Sequence, residues 1–145
     1  MVQRVSRAEV QVKNETVGKI NRGYLVFLGV LENDGKKDAD WLADKLLKLR
    51  VMSDENDKMN LNIKDAGGEI LVVSQFTLAA DTRKGNRPSF VKAAAPKEAK
   101  ELYKYFVEKL KSGKIKIQTG KFGAYMKIKP TLDGPVTITL DSKEI

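Results

Sequence analysis

The run Tyr-Leu-Val-Phe-Leu-Gly-Val-Leu at residues 24–31 contains no charged or amide side chain. A strand with one wet face alternates apolar and polar residues, so an unbroken run reads as a central strand covered on both faces. Residues 70–73, Ile-Leu-Val-Val, make the same demand within a strand spanning 69–76. Upstream, residues 2–12 alternate loosely, with Val2, Val5, Val10 and Val12 as inward candidates. Turns at Asn14-Glu15 and Asn21-Arg22-Gly23 then link three strands in thirty residues, a meander.

Cover for these strands comes from two amphipathic segments. Residues 37–50 place Ala39, Leu42, Ala43, Leu46 and Leu49 on one helical face. Pro96 suits the first turn of a second helix running to Lys111, with Ala99, Leu102, Tyr103, Phe106 and Leu110 inward and Gly113 ending it. Residues 51–69 read as loop with a short strand near 59–63. The tail holds three strand-like segments, KIKIQTG, AYMKIK and PVTITL, the last two separated by Pro130 and a turn at Asp133-Gly134-Pro135. Without regular βαβ alternation, the order predicts an α+β fold with a mixed or antiparallel sheet and two main helices. At 145 residues, positions 1–145 read as a single domain with one core.

Composition restricts the chemistry. The chain has no cysteine and no histidine, which removes disulfides, thiolate metal sites and the usual general base near neutral pH. No Walker A sequence, dinucleotide glycine fingerprint or zinc spacing is present, so no metal or cofactor is expected. The N-terminal residues lack a signal-peptide core and no window carries the roughly 18 apolar residues of a membrane span, which predicts a cytoplasmic protein with no membrane partner. The net charge of +8 and a pI near 9.6 favour a polyanionic partner such as nucleic acid, against the alternative of a plain lysine-rich surface.

Two places stand out as candidate sites. Ser74-Gln75-Phe76-Thr77 ends a buried strand, where sheet-based folds place pockets. Thr77 is a candidate nucleophile, Gln75 an orienting group and Phe76 a wall; the alternative is a strand cap and turn. A long connection follows over 78–95, carrying Arg83, Lys84 and Arg87, and loops above about 12–15 residues in compact domains are commonly functional. On the second helix Lys97, Lys100, Lys104 and Lys111 share a face, either solvated or turned to phosphates. Asp81, Asp133 and Asp141 are carboxylates with no spacing that pairs them as acid and base.

In order along the chain, VQRVSRA, GYLVFLGV, KMNLN, LVVSQFTLAADT with RPSF, QTGKFGA and DGPVT resemble the D-aminoacyl-tRNA deacylase family over nearly the whole length. The resemblance implies a barrel-like fold of that family and hydrolysis of the ester in D-aminoacyl-tRNA, with glycine mischarged on the tRNA for alanine also accepted. It implies a homodimer in which Gly134-Pro135, with its peptide bond cis, enters the partner's pocket and turns away L side chains. Ser74, Gln75, Phe76 and Thr77 match the motif lining the site of the terminal adenosine and ester. Phe122, Gly123 and Ala124 match a further pocket segment, and Arg4 matches the arginine that orients the Gly-Pro carbonyls. Leu132 and Pro130 depart from the family pattern, which has asparagine and an aliphatic residue there. A competing expectation, a non-catalytic basic RNA-binding module, rests on charge alone.

Overall fold

The computed structural model describes residues 1–144. Strand β1 (Val2–Val12) is the organising element. One edge of it pairs antiparallel with two partners in succession: residues 2–5 with β3 (Gly23–Leu28) and residues 8–12 with β2 (Glu15–Ile20). Its other edge pairs antiparallel with a long strand from Lys127 to Ile138. The first helix, α1, spans Lys36–Lys48, and a two-stranded sheet follows, built from β4 (Met52–Ser53) and β5 (Met59–Leu61). Strand β6 (Glu69–Ser74) lies parallel to β3, and β7 (Ile117–Thr119) parallel to β6. Helix α2 (Pro96–Lys111) precedes β7, and the Lys127–Ile138 strand is β8. The main sheet is therefore mixed, in the order β2-β1-β3-β6-β7 with β8 outside this path on β1.

The apolar runs are explained by what each face meets. Tyr24, Val26 and Leu28 of β3, with Ile70 and Val72 of β6, pack against α1 and α2 residues including Ala43, Leu46, Phe106 and Leu110. The alternate residues Leu25, Leu71 and Val73 join Val5, Val10 and Ile20 in a second cluster on the opposite face. A sheet that buries both faces with only two helices must curl on itself for the rest of its cover. It does so where β2 reaches β7: a Cβ on Gly18 would lie 2.3 Å from the Thr119 carbonyl oxygen. Only glycine permits that approach, and it nearly closes the sheet into a barrel.

Helix α1 starts with a reciprocal cap: the Gly35 N–H donates to the Asp38 carboxylate at 2.8 Å. Lys143 also donates to Asp38, at 2.7 Å, and ties the C-terminal segment to this helix; these bonds hold the Asp38 carboxyl down to about 2. Among the described residues no helix is long and apolar enough to cross a membrane.

Four expectations are corrected. The first three strands do not form a meander, because β3 pairs with β1 and not with β2. The strand over 69–76 ends at Ser74, and residues Phe76–Ala79 wind into a 3₁₀ turn. The cause is visible at the last rung: the Gln75 N–H donates to the Leu28 carbonyl at 2.8 Å, after which β3 itself has ended. The two last tail segments are one strand, β8, that runs through Pro130. Proline is tolerated there because β8 pairs on one side only, with β1. And Asp133-Gly134-Pro135 is a bulge inside β8 instead of a turn between strands. Val5 faces Leu132 and Gln3 faces Thr137, so five steps along β8 pass two steps along β1.

Candidate active site

A cavity of about 310 Å³ opens at the carboxyl ends of β3 and β6. Leu28, Val73 and Ser74 form its strand side, Ala99 and Tyr103 of α2 a second wall, and residues 122–126 with Ile128 a third. Ser74, Gln75 and Phe76 are thus brought together with Phe122, Gly123 and Ala124, although about 50 residues separate the two groups in sequence. Tyr103 anchors α2 from inside: its hydroxyl donates to the Val72 carbonyl at 2.8 Å, and its ring packs on Phe122 at 5.7 Å between centroids. Burial pushes that phenol up to about 12, so it stays neutral.

Thr77 sits beside the cavity. The Gln75 side-chain amide donates to its hydroxyl oxygen, which ties the two groups into one unit. The turn Phe76–Ala79 supplies two further donors. The Gln75 N–H is taken by Leu28 and the Leu78 N–H by the Gln75 carbonyl, whereas the N–H groups of Phe76 and Thr77 find no acceptor among the described residues. First-turn donors have no partner within their own helix. The Gln75 main-chain amide is therefore in use, and the free donors lie one and two residues on.

The cavity lining contains no Asp, Glu, Lys or Arg among the described residues. Among the described residues it therefore offers no carboxylate, amine or imidazole as a general base. Asp81, in the following loop, is bound by Arg83 through a short ion pair and a main-chain contact, which hold its carboxyl far below the usual carboxylate range. Arg83 stays charged but is engaged by Asp81, while Lys84 and Arg87 are exposed and make no ion pair among the described residues. Phe76 and Tyr125 leave their rings open at the mouth, 60% and 89% exposed, with Phe76 edge-on to Phe90.

Gly134-Pro135 does not line this cavity in its own chain. It lies at the β8 bulge, where the peptide bond is cis and Gly134 has φ of +138°. Arg4, only 9% exposed, stands opposite. Its Nε donates to the Asp133 carbonyl at 3.0 Å and lies 3.3 Å from the Asp133 carboxylate; its Nη1 donates to the Val51 carbonyl at 2.9 Å and to the Ser53 hydroxyl at 3.3 Å. The arginine thus stitches three places far apart in sequence, and the KMNLN segment enters through β5, which pairs with the β4 strand that carries Ser53.

Comparison with known proteins decides the family. The model of the family described as D-Tyr-tRNA(Tyr) deacylase matches residues 1–141. The chain belongs to the D-Tyr-tRNA(Tyr) deacylase family. It is 57% identical over 141 residues to a D-aminoacyl-tRNA deacylase of Haemophilus influenzae, covering 97% of each chain. It is 54% identical over 145 residues to one of Thermotoga petrophila, covering 100% of this chain and 97% of the relative. A solved structure of the c-Myc DNA unwinding element binding protein superimposes with a TM-score of 0.90 at 42% identity, over 97% of this chain and 95% of that one. A probable eukaryotic D-amino acid tRNA deacylase shares the fold, with a TM-score of 0.78 at 18% identity over 92% and 93% of the two chains. As a member of the D-Tyr-tRNA(Tyr) deacylase family the protein is a hydrolase, and the barrel-like α+β architecture expected from the resemblance is the one observed.

Sequence reasoning missed Tyr103, Tyr125 and Met126 as cavity residues. Tyr103 reads as one more apolar position of an amphipathic helix, and only its hydroxyl marked it as different.

Proposed function

We propose that the protein hydrolyses the ester of D-aminoacyl-tRNA, with the aminoacyl adenosine end held in the cavity at the ends of β3 and β6. The observation that carries this reading is a polar-ended cavity with unpaired main-chain donors and no ionisable wall apart from tyrosine, in a member of this family. An aminoacyl ester is already activated, so positioning and oxyanion stabilisation account for most of what the protein must supply. The N–H groups of Phe76 and Thr77 stabilise the developing oxyanion. Gln75 and Thr77 orient the ester, Ser74 and Phe76 contact the adenosine, and Phe122, Gly123 and Ala124 close the far wall. Water or the neighbouring ribose hydroxyl carries the proton.

Chirality is read by exclusion. Gly134-Pro135 of a second copy enters the mouth, and its carbonyl oxygens occupy the space that an L side chain would need. Arg4 keeps those carbonyls in place from behind. Glycine has no side chain to exclude, so glycine on the tRNA for alanine is a second substrate. The open rings of Phe76 and Tyr125 and the exposed Leu132 suit a surface that a second copy covers. Lys84 and Arg87, with Arg83 to a lesser degree, contact the tRNA backbone, and the site of action is the cytoplasm, where aminoacylated tRNA is used.

Incubation with D-tyrosyl-tRNA and L-tyrosyl-tRNA tests the assignment. Loss of the D ester alone is expected. Binding of tRNA without loss of either ester would instead identify an RNA-binding module, and equal loss of both would remove the chirality filter.

The Thr77→Ala enzyme separates positioning from covalent catalysis. Removal of a nucleophile in a hydrolase typically costs about 10⁴-fold or more in kcat. With Thr77 as a positioning group, kcat is expected to fall by no more than roughly 10-fold, because the Phe76 and residue-77 main-chain donors survive the substitution. A larger loss measured in single-turnover assays would return Thr77 to the role of nucleophile.

A further inference from the structure

The charges on α2 are sorted around the helix axis. With about 100° per residue and Ala99 at the origin, Lys100, Lys111, Lys104 and Lys97 fall at about 100°, 120°, 140° and 160°. Glu108, Glu101 and Glu98 follow at about 180°, 200° and 260°. Four lysines therefore occupy an arc of about 60° with no acid inside it. Lys97, Lys100 and Lys104 are exposed and make no ion pair among the described residues, while Lys111 is paired with Glu108.

The direction of each arc is fixed by contacts. Tyr103, at about 40°, lines the cavity and packs on Phe122. Tyr105 and Lys109, at about 240° and 280°, both bond Asp40 of α1. The acidic flank thus turns toward α1, and the lysine arc lies on the flank that adjoins the cavity. Ordinary helix surface places opposite charges four residues apart, where they support each other. Lys97 and Lys104 stand four residues before Glu101 and Glu108, yet neither forms an ion pair among the described residues, and Lys100 and Lys104 set like charges at that spacing, an arrangement unfavourable for the isolated helix and favourable beside a polyanion.

We infer that Lys97, Lys100 and Lys104 form the track for the phosphate backbone of the tRNA acceptor stem as its end enters the cavity. The inference rests on the deacylase reading and adds the direction from which the substrate arrives. From Lys97 to Lys104 the track covers about 10 Å, enough to meet several successive phosphates. Lysines on flexible stems act as point charges toward phosphate, so the track reads no sequence and suits an enzyme that meets many tRNAs.

A triple charge reversal, Lys97→Glu, Lys100→Glu and Lys104→Glu, tests it in the full-length enzyme with D-tyrosyl-tRNA under single-turnover conditions. Lys37→Glu, Lys45→Glu and Lys64→Glu in one chain makes the same change in net charge elsewhere. The half-saturating enzyme concentration of the first variant is expected to rise by roughly 10- to 100-fold, with a shallower salt dependence, while the limiting rate stays within about 3-fold of wild type. The second variant is expected to stay within about 3-fold in both. Equal weakening by the two variants would reduce the effect to bulk charge and overturn the track. So would unchanged half-saturation, or a fall in limiting rate alone. Wild-type enzyme that leaves the D ester intact would overturn the deacylase reading itself, a result distinct from any difference between variants.

Discussion

Alanine in place of Gly134 is expected to lower the ratio of D-ester to L-ester hydrolysis by roughly 100-fold, the loss of an exclusion worth about 2–3 kcal/mol. A Cβ there would lie 2.7 Å from the Val136 nitrogen and 2.8 Å from its Cγ2, both inside contact distance. The residue also has φ of +138°, where L side chains are strained. Relief requires the bulge to turn, and the bulge presents the two carbonyls proposed to exclude L side chains. Because Gly134 is exposed, the fold loses little, about 1–2 kcal/mol. Steady-state kcat/KM for D- and L-tyrosyl-tRNA, taken with thermal denaturation, checks both parts. An unchanged ratio would detach the bulge from stereochemistry.

Arg4→Ala is expected to act on stability and selectivity together. The arginine is buried, and its removal strands the Val51 and Asp133 carbonyl oxygens, for a loss of about 3 kcal/mol. It also frees the bulge from behind, so the D/L ratio should fall at least as far as in Gly134→Ala. Arg4→Lys separates the two effects. A lysine retains the charge but cannot serve Asp133, Val51 and Ser53 at once, so it should recover part of the stability and little of the selectivity. Asp133→Asn is the mild control, since Arg4 bonds the main-chain oxygen of that residue and the carboxylate is half exposed. Urea midpoints alongside the two ester assays distinguish these outcomes; full selectivity in Arg4→Ala would leave the arginine a purely structural role.

Much of this fold is legible in the sequence because its core strands advertise themselves. Residues 24–28 and 70–73 are apolar on both faces, and both faces are buried. The helices are equally plain, since Ala39, Ala43 and Leu46, or Tyr103, Phe106 and Leu110, recur at helical spacing and are buried, with Val107 added on α2. What fails is the pairing of the first three strands, where β3 joins β1 and not β2, and local detail: Phe76 reads as the last residue of the strand, yet the chain turns because Gln75 has already taken the last rung on Leu28. Pro130 and Gly134-Pro135 read as breaks, yet a strand paired on one side only absorbs a proline and a bulge. At the candidate site, Ser74–Phe76 and Phe122–Ala124 were visible as motifs, and their meeting was not. The partners of Arg4 at Val51 and Ser53 lie 47 and 49 residues away, and no periodicity reports a contact of that kind.

The outer side of β8 has its own significance for how copies of this chain coexist. A strand with one unpaired side is a template on which another chain can grow, and repeated growth of that sort gives fibres. Along the first half of β8 that growth is obstructed by Lys127 and Lys129, which repel a like strand, and by Pro130, which offers no N–H. Along the second half the bulge breaks the ladder's spacing. The same irregularity that sets Gly134 in place thus obstructs open-ended stacking of one β8 edge on another.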